Sequence, residues 1–325
     1  MRAIVCDGHG DLDRLLLDED AAEPTPGPGQ VAIRVAAAGV NFADTLMVAG
    51  TYQATPEPPF TPGLEASGTV QAVGPEVDGL QPGQRVMAIL DSGGFAEVAL
   101  ARAADVFALP DELEVETAAA VPISYGTAHG ALVWRAALQP GETLLVHGAA
   151  GGAGLAAVEV GKALGARVIA TAGGREKTEI ARRHGADETL DYRAEDIRER
   201  VKALTDGRGA DVVYDPVGGD VFKASLRCIA WSGRIVVIGF ASGEVPAPPA
   251  NILLVKNIAV LGFYWGSYRT HAPDLMRRQF DDLRAWLQAG KLHPYVSARY
   301  PLADARGALE ALKSRRTSGK IVLTV

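Results

Sequence analysis

Val146-His147-Gly148-Ala149-Ala150-Gly151-Gly152-Ala153-Gly154, followed by Leu155-Ala156-Ala157, is the stretch whose reading decides the fold. An apolar run at 143–146 reads as a strand ahead of it, and residues 155–164 read as a helix behind it. A strand–turn–helix unit that binds a dinucleotide makes three demands on its turn. The backbone must reverse tightly, a pyrophosphate must approach it closely, and the helix must pack closely on the strand. Glycine or alanine at Ala150, Gly151, Gly152, Ala153 and Gly154 satisfies all three. The free N–H groups and the positive dipole end of the helix then face the phosphates. These five residues form the candidate cofactor cradle.

Working outward, the same rhythm continues on both sides. Strand-like segments at 167–171, 188–190, 211–214, 234–238 and 259–261 alternate with helical segments at 176–184, 197–204 and 222–229. Strands alternating with helices of this length imply βαβ units, and right-handed crossovers then give a doubly wound parallel sheet. This domain is expected over residues 123–263. Residues 1–122 read as β-rich, with strands at 31–38, 68–73, 85–90 and 95–100. The turns Pro26-Gly27-Pro28-Gly29, Pro82-Gly83 and Gly93-Gly94 separate them. After residue 263 come a long amphipathic helix at 273–288, a short strand at 299–300, a helix at 303–313 and a last strand at 320–325. These do not extend the βαβ rhythm. Residues 264–325 are therefore expected to return to the first domain, so that an α/β dinucleotide-binding domain is inserted into a mostly β catalytic one.

The end of the second strand carries the cofactor signal. An NAD site places an acid there, about 20 residues after the turn, to bind the ribose hydroxyls. This chain has Ala172 instead, then Gly173-Gly174-Arg175-Glu176-Lys177, with Tyr192 and Arg193 after the next strand. A small neutral residue leaves room for a 2′-phosphate, and Lys177 supplies positive charge beside it. The expected cofactor is NADPH.

Composition bounds the rest. A length of 325 residues suits two cores, and 48% hydrophobic with 22% charged residues is ordinary for a globular chain. The net charge of −7 stands against a nucleic-acid surface. Cys6 and Cys228 are the only cysteines, so neither a disulfide framework nor a thiolate zinc site is encoded. No apolar run is long enough to span a membrane, and the opening segment reads directly as a strand rather than a signal peptide. The expected setting is a reducing cytoplasm.

Several motifs in order carry a resemblance over essentially the whole chain. They are Gly39-Val40-Asn41-Phe42-Ala43-Asp44, Gly63-Leu64-Glu65-Ala66-Ser67-Gly68, Gly79-Leu80-Gln81-Pro82-Gly83-Gln84-Arg85-Val86 and Gly94-Phe95-Ala96-Glu97. The glycine-rich turn and the ending Ser318-Gly319-Lys320-Ile321-Val322-Leu323 complete the set. Together they resemble the zinc-free quinone oxidoreductase (zeta-crystallin-like) branch of the medium-chain dehydrogenase/reductase superfamily. The resemblance implies a GroES-like catalytic domain around a Rossmann domain, with the substrate cleft between them. Zinc-dependent relatives carry a cysteine where this chain has Asn41 and a histidine where it has Leu64, so no metal is expected. Glu65 and Asp44 are left with structural hydrogen bonding.

The same resemblance assigns candidate roles. Tyr52 matches a tyrosine near the nicotinamide that can donate a proton to the reduced substrate, and Asn41 orients substrate or nicotinamide ribose. Beside these, Gly173, Lys177, Tyr192, Phe240, Ser242, Phe263, Tyr264, Trp265 and Lys320 join the cradle as candidate cofactor contacts, the aromatic group Phe263-Tyr264-Trp265 either forming a flat-ring wall or packing at the domain junction. The expected partner is a small quinone or conjugated carbonyl acceptor, and the expected assembly is a homodimer through residues 257–262. Reduction of an activated C=C bond in an enone or enoyl thioester is the alternative. A crystallin-like or nucleic-acid-binding role is a more distant one. Leu46 stands where some quinone-reducing relatives carry another tyrosine, which leaves the acceptor open.

Overall fold

The alternation read along the middle of the chain becomes a six-stranded sheet in the computed structural model, which describes residues 1–325. Its strands are β1 (Thr143–Val146), β2 (Arg167–Ala172), β3 (Glu188–Asp191), β4 (Ala210–Asp215), β5 (Ile229–Val237) and β6 (Ala259–Gly262). They lie in the order β3-β2-β1-β4-β5-β6 and every pair is parallel. The helices α1 (Gly152–Ala163), α2 (Arg175–Arg183), α3 (Ile197–Leu204) and α4 (Gly219–Cys228) make the crossovers. Every residue of β1 is buried, as expected where helices cover both faces of a parallel sheet. Strand order reverses between β1 and β4, and the crevice at that switch point is where such sheets take their ligands.

The sheet belongs to a compact unit of residues 124–293. A single buried carboxylate, Glu159 on α1, ties the two ends of this unit together. It accepts from the Tyr125 hydroxyl at 2.7 Å and from the His293 backbone N–H at 2.8 Å, while its other oxygen meets His184 Nδ1 at 2.5 Å. Burial and the neighbouring carboxylate hold the Tyr125 hydroxyl well above its usual pKa. It is therefore a permanent donor.

One boundary differs from the sequence expectation. Residues 264–293 were expected to return to the first domain as a block with the chain's end, but they pack with the parallel-sheet unit. The reason is a buried polar knot. Gln279, on the helix Pro273–Gln288, accepts from Trp265 Nε1 at 2.9 Å and donates to the Gly126 carbonyl at 2.8 Å. Amphipathicity foretold the helix but not its partner.

Residues 1–123 and 294–325 form the other unit. Its seven-stranded sheet is built on Gln30–Val40, which pairs antiparallel with Glu65–Val73, Val98–Arg102 and Lys320–Thr324. Beyond these, Arg85–Ile89 and Val106–Ala108 extend one side and Val296–Pro301 the other. Ile33, Val35, Ala66, Val70, Val86, Phe95, Ile321 and Leu323 fill the core. Leu302, Ala305, Ala308 and Leu309 from the C-terminal segment pack into it too, so the last strand and the helix before it do return to the first unit. Register is what matters for function. Ile321 stands opposite Val40 and Ala66 opposite Ala38, which brings Lys320 and Glu65 to the point where the long strand ends at Asn41.

Candidate functional site

Two clusters of candidate residues emerge, one in each unit. In the parallel-sheet unit the glycine-rich turn follows β1 at the switch point. Gly148 is left-handed, with φ of 59°. The turn is fixed by Ala149 N–H donating to the Thr171 carbonyl at 3.0 Å and by Gly151 N–H donating to the Gly148 carbonyl at 3.0 Å. Helix α1 then starts from Gly151 as its N-cap, so the N–H groups of its first turn point out of the helix unpaired. Gly154 packs directly on the turn: a Cβ there would lie 2.7 Å from the Ala149 Cα and collide with the Gly148 carbonyl. His147 is wholly buried and hydrogen-bonded to Thr171 Oγ1 at 2.9 Å and Ser225 Oγ at 2.8 Å. Burial lowers its pKa, so it is a neutral strut beneath the turn.

The loops after the neighbouring strands meet at the same edge. Val217 approaches Gly148, while Phe240 and Ser242 close over Gly218 and Gly219. At the end of β2, Ala172 is buried and small. The Tyr192 hydroxyl and Arg193 Nε stand 2.6 and 3.0 Å from the point where a Cβ of Gly173 would be. Lys177 occupies the first turn of α2. The structure therefore brings Gly173, Tyr192 and Arg193 together, with Lys177 on the adjoining helix.

Sequence reasoning missed an acid here. Asp191 Oδ1 accepts from the N–H groups of Gly174 at 2.8 Å and Arg193 at 3.0 Å. These hold its carboxyl below the usual range. It shapes the turn from the third strand, not the second, where the acid of an NAD site is sought.

The aromatic wall narrows. Phe263 and Trp265 are buried, Phe263 against Gly130 and Trp265 against Gly126. Only Tyr264, 42% exposed, presents its ring to the outside.

The second cluster lies in the other unit, where Asn41 closes the long strand and caps the helix Phe42–Val48. Its amide donates Nδ2–H to Glu65 Oε1 at 2.9 Å and accepts from Lys320 Nζ on Oδ1 at 2.5 Å. Lys320 also pairs with Glu65 at 2.5 Å, and Ile123 N–H donates to the other Glu65 oxygen at 2.8 Å. Gly39 has no side chain because the Glu65 carboxylate and the Ala119 carbonyl occupy the space a Cβ would need. Lys320, expected among the cofactor contacts, is 5% exposed with its ammonium committed to Asn41 and Glu65. The structure gives it the task of holding Asn41. Tyr52, in the loop after the helix, is half-buried and packs on the core of this unit.

Comparison with known proteins agrees with this architecture. Residues 27–111 match the alcohol dehydrogenase GroES-like domain, and residues 152–281 match the zinc-binding dehydrogenase domain. A quinone oxidoreductase-like protein 2 homolog of Nematostella vectensis is 44% identical over 325 residues, covering 99% of this chain and 88% of that one. The crystal structure of a Pseudomonas syringae quinone oxidoreductase aligns with a TM-score of 0.93 at 37% identity, covering 100% and 99% of the two chains. The Escherichia coli quinone oxidoreductase, solved in complex with NADPH, aligns with a TM-score of 0.92 at 33% identity over 100% of both. A GroES-like unit with a Rossmann-type unit defines a medium-chain dehydrogenase/reductase. The chain belongs to the quinone oxidoreductase branch of that superfamily, and it is an oxidoreductase.

The zinc in the second domain's name finds no fitting donor set. Zinc takes thiolate, imidazole or carboxylate ligands in a tetrahedral array. Here the two expected positions are an amide, Asn41, and a buried leucine, Leu64, while the adjacent Glu65 already carries an ammonium.

Gly154→Ala tests the close approach of helix to turn. The added methyl should lower unfolding free energy by about 1–3 kcal/mol, read as a fall in the urea midpoint.

Proposed function

We propose that this chain reduces quinones and related conjugated carbonyl acceptors with NADPH, without a metal. The observation that carries the proposal is the donor set at Asn41: an amide held by Lys320 and Glu65 stands where metal-dependent relatives place a ligand. Such a set orients a substrate but polarises an isolated carbonyl weakly. A quinone spreads its own negative charge over the ring, so it needs orientation more than Lewis-acid help.

The residues present fit NADPH. The turn from Ala150 to Gly154 offers free N–H groups to a pyrophosphate at the start of α1. Ala172 leaves space beyond the adenine ribose, and Gly173, Lys177, Tyr192 and Arg193 supply a positive, hydrogen-bonding rim for a 2′-phosphate. Phe240, Ser242 and the exposed Tyr264 extend the binding edge. When bound, NADPH supplies the hydride. The chain's own residues orient the acceptor through Asn41 and give a proton from the Tyr52 hydroxyl to the reduced product.

A homodimer is part of the proposal. β6 is the last strand of its sheet, with one edge unpaired. The helix Ala250–Lys256 just before it leaves Leu254 and Val255 exposed at 78% and 76%. Pairing across a two-fold axis covers both. Sedimentation velocity at micromolar concentration should give twice the chain mass of 34.0 kDa; a species of single mass would refute the dimer.

Lys177→Ala should weaken NADPH binding by about 10–100-fold, the loss of one charge-assisted contact, and leave NADH within about 2-fold. Fluorescence titration with both cofactors reads this.

Tyr52→Phe separates quinone reduction from C=C reduction. An enone needs a proton at its α-carbon, so its turnover should fall by roughly 10²–10⁴-fold, as for loss of a general acid. Quinone turnover should fall less, because without the hydroxyl the delocalised hydroquinone anion can take its proton from water instead. Steady-state rates with one acceptor of each kind decide between them.

A further inference from the structure

The buried cluster around Asn41 holds one more ionisable group, which plays no part in the proposed reduction. Asp44, in the first turn of the helix that Asn41 caps, is fully buried. Its Oδ2 accepts from the Asn41 backbone N–H at 2.8 Å, whereas Oδ1 is buried with no hydrogen-bond partner. Glu65 takes three donors: the Asn41 amide, the Lys320 ammonium and the Ile123 N–H. The ammonium is therefore committed to Glu65 and to Asn41 Oδ1. Two buried carboxyl groups thus face a single buried cation. Two carboxylates there would leave one negative charge uncompensated, an arrangement that burial strongly disfavours. One proton on the unpartnered oxygen of Asp44 brings the count to zero.

We propose that Asp44 is a positioning residue that holds this proton, and that losing it loosens Asn41 and switches off acceptor reduction at alkaline pH. The charged groups that face it are Lys320 from the C-terminal strand and Glu65 from the neighbouring strand; the Asn41 N–H bonds its Oδ2, and the Gly63 N–H lies nearby without bonding either oxygen. Burial pushes the Asp44 carboxyl up to about 7; the Asn41 N–H and Lys320 oppose that rise, and Glu65 adds to it. Ionisation draws the Lys320 ammonium between two carboxylates and weakens its hold on Asn41 Oδ1. The sign follows from a folded pKa above the unfolded one. The proton stabilises the fold fully below about pH 4, and this contribution is lost as pH rises to about 7. Activity is flat on the acid side and falls about tenfold per pH unit above that midpoint.

The inference rests on the orienting role proposed for Asn41, so its test has two arms. Carboxyl 13C NMR of aspartate-labelled protein should show one resonance titrating near pH 7, absent in Asp44→Asn. The pH profile of kcat/KM with NADPH and a quinone should fall above that midpoint in the native chain and be flat in Asp44→Asn. Glu65→Gln, which removes the second carboxylate, should move the NMR midpoint down by about one pH unit. A resonance that titrates below pH 5, or an alkaline fall that persists in Asp44→Asn, overturns the proposal. A resonance titrating near 7 in a chain that turns over no quinone would instead remove the acceptor assignment and leave Asp44 as the proton holder.

Discussion

A buried ammonium on a buried carboxylate, Lys320 on Glu65, is the interaction on which the first unit turns. Neither group gains from burial by itself: removing two charges from water costs several kcal/mol each, and attraction repays this only where other hydrogen bonds complete the set. Here they do. Glu65 also receives Asn41 and Ile123, and Lys320 also reaches Asn41. The pair joins residues 255 positions apart, 65 and 320, across the long central strand. The C-terminal strand is thus locked in register by charge as well as by apolar alternation. A slip of one residue would turn Lys320 into the opposite face and leave Glu65 buried without a cation.

The parallel-sheet unit depends on shape more than on charge. Its turn works because atoms are missing: no Cβ at Gly154, a left-handed Gly148, a small Ala172. Each omission lets backbone come close to backbone or leaves room for a ligand. The polar side chains around the turn are struts. His147 ties Thr171 to Ser225 without carrying charge, and Asp191 spends its carboxylate on two backbone N–H groups. One unit is therefore shaped by close backbone geometry, and the other is held by a balanced set of buried charges.

Much of this was legible in the sequence for physical reasons. The glycine-rich turn, the βαβ rhythm and the return of the last strand to the first unit all come from local pattern, which periodicity and turn chemistry report directly. What escaped was every decision made by a non-local partner. The helix Pro273–Gln288 was foreseen, but its side was set by Gln279 bonding residues 14 and 153 positions away. Lys320 stands among the expected cofactor contacts, and its burial against Glu65 and Asn41 depends on partners 255 and 279 positions away that no local motif displays. A run of aromatic residues does not declare which of them turn inward, and burial separates Phe263 and Trp265 from the exposed Tyr264. Asp191 closes the third strand, outside the second-strand position at which an NAD site places its acid, so its grip on Gly174 and Arg193 has no local signature.

The carboxylate of Glu159 has a consequence for how such a chain comes to exist. By gripping Tyr125 and His293 at once, it makes the 124–293 unit begin and end at one spot. In the connectivity of the chain the whole unit then counts as a short span, because the entropy of closing a loop grows with the length of flexible chain in it. A domain that clasps its own ends can be spliced into a surface loop without unravelling its host. Glu159 is such a clasp, and grafting this unit into an unrelated scaffold would require the carboxylate and its two partners to travel with it.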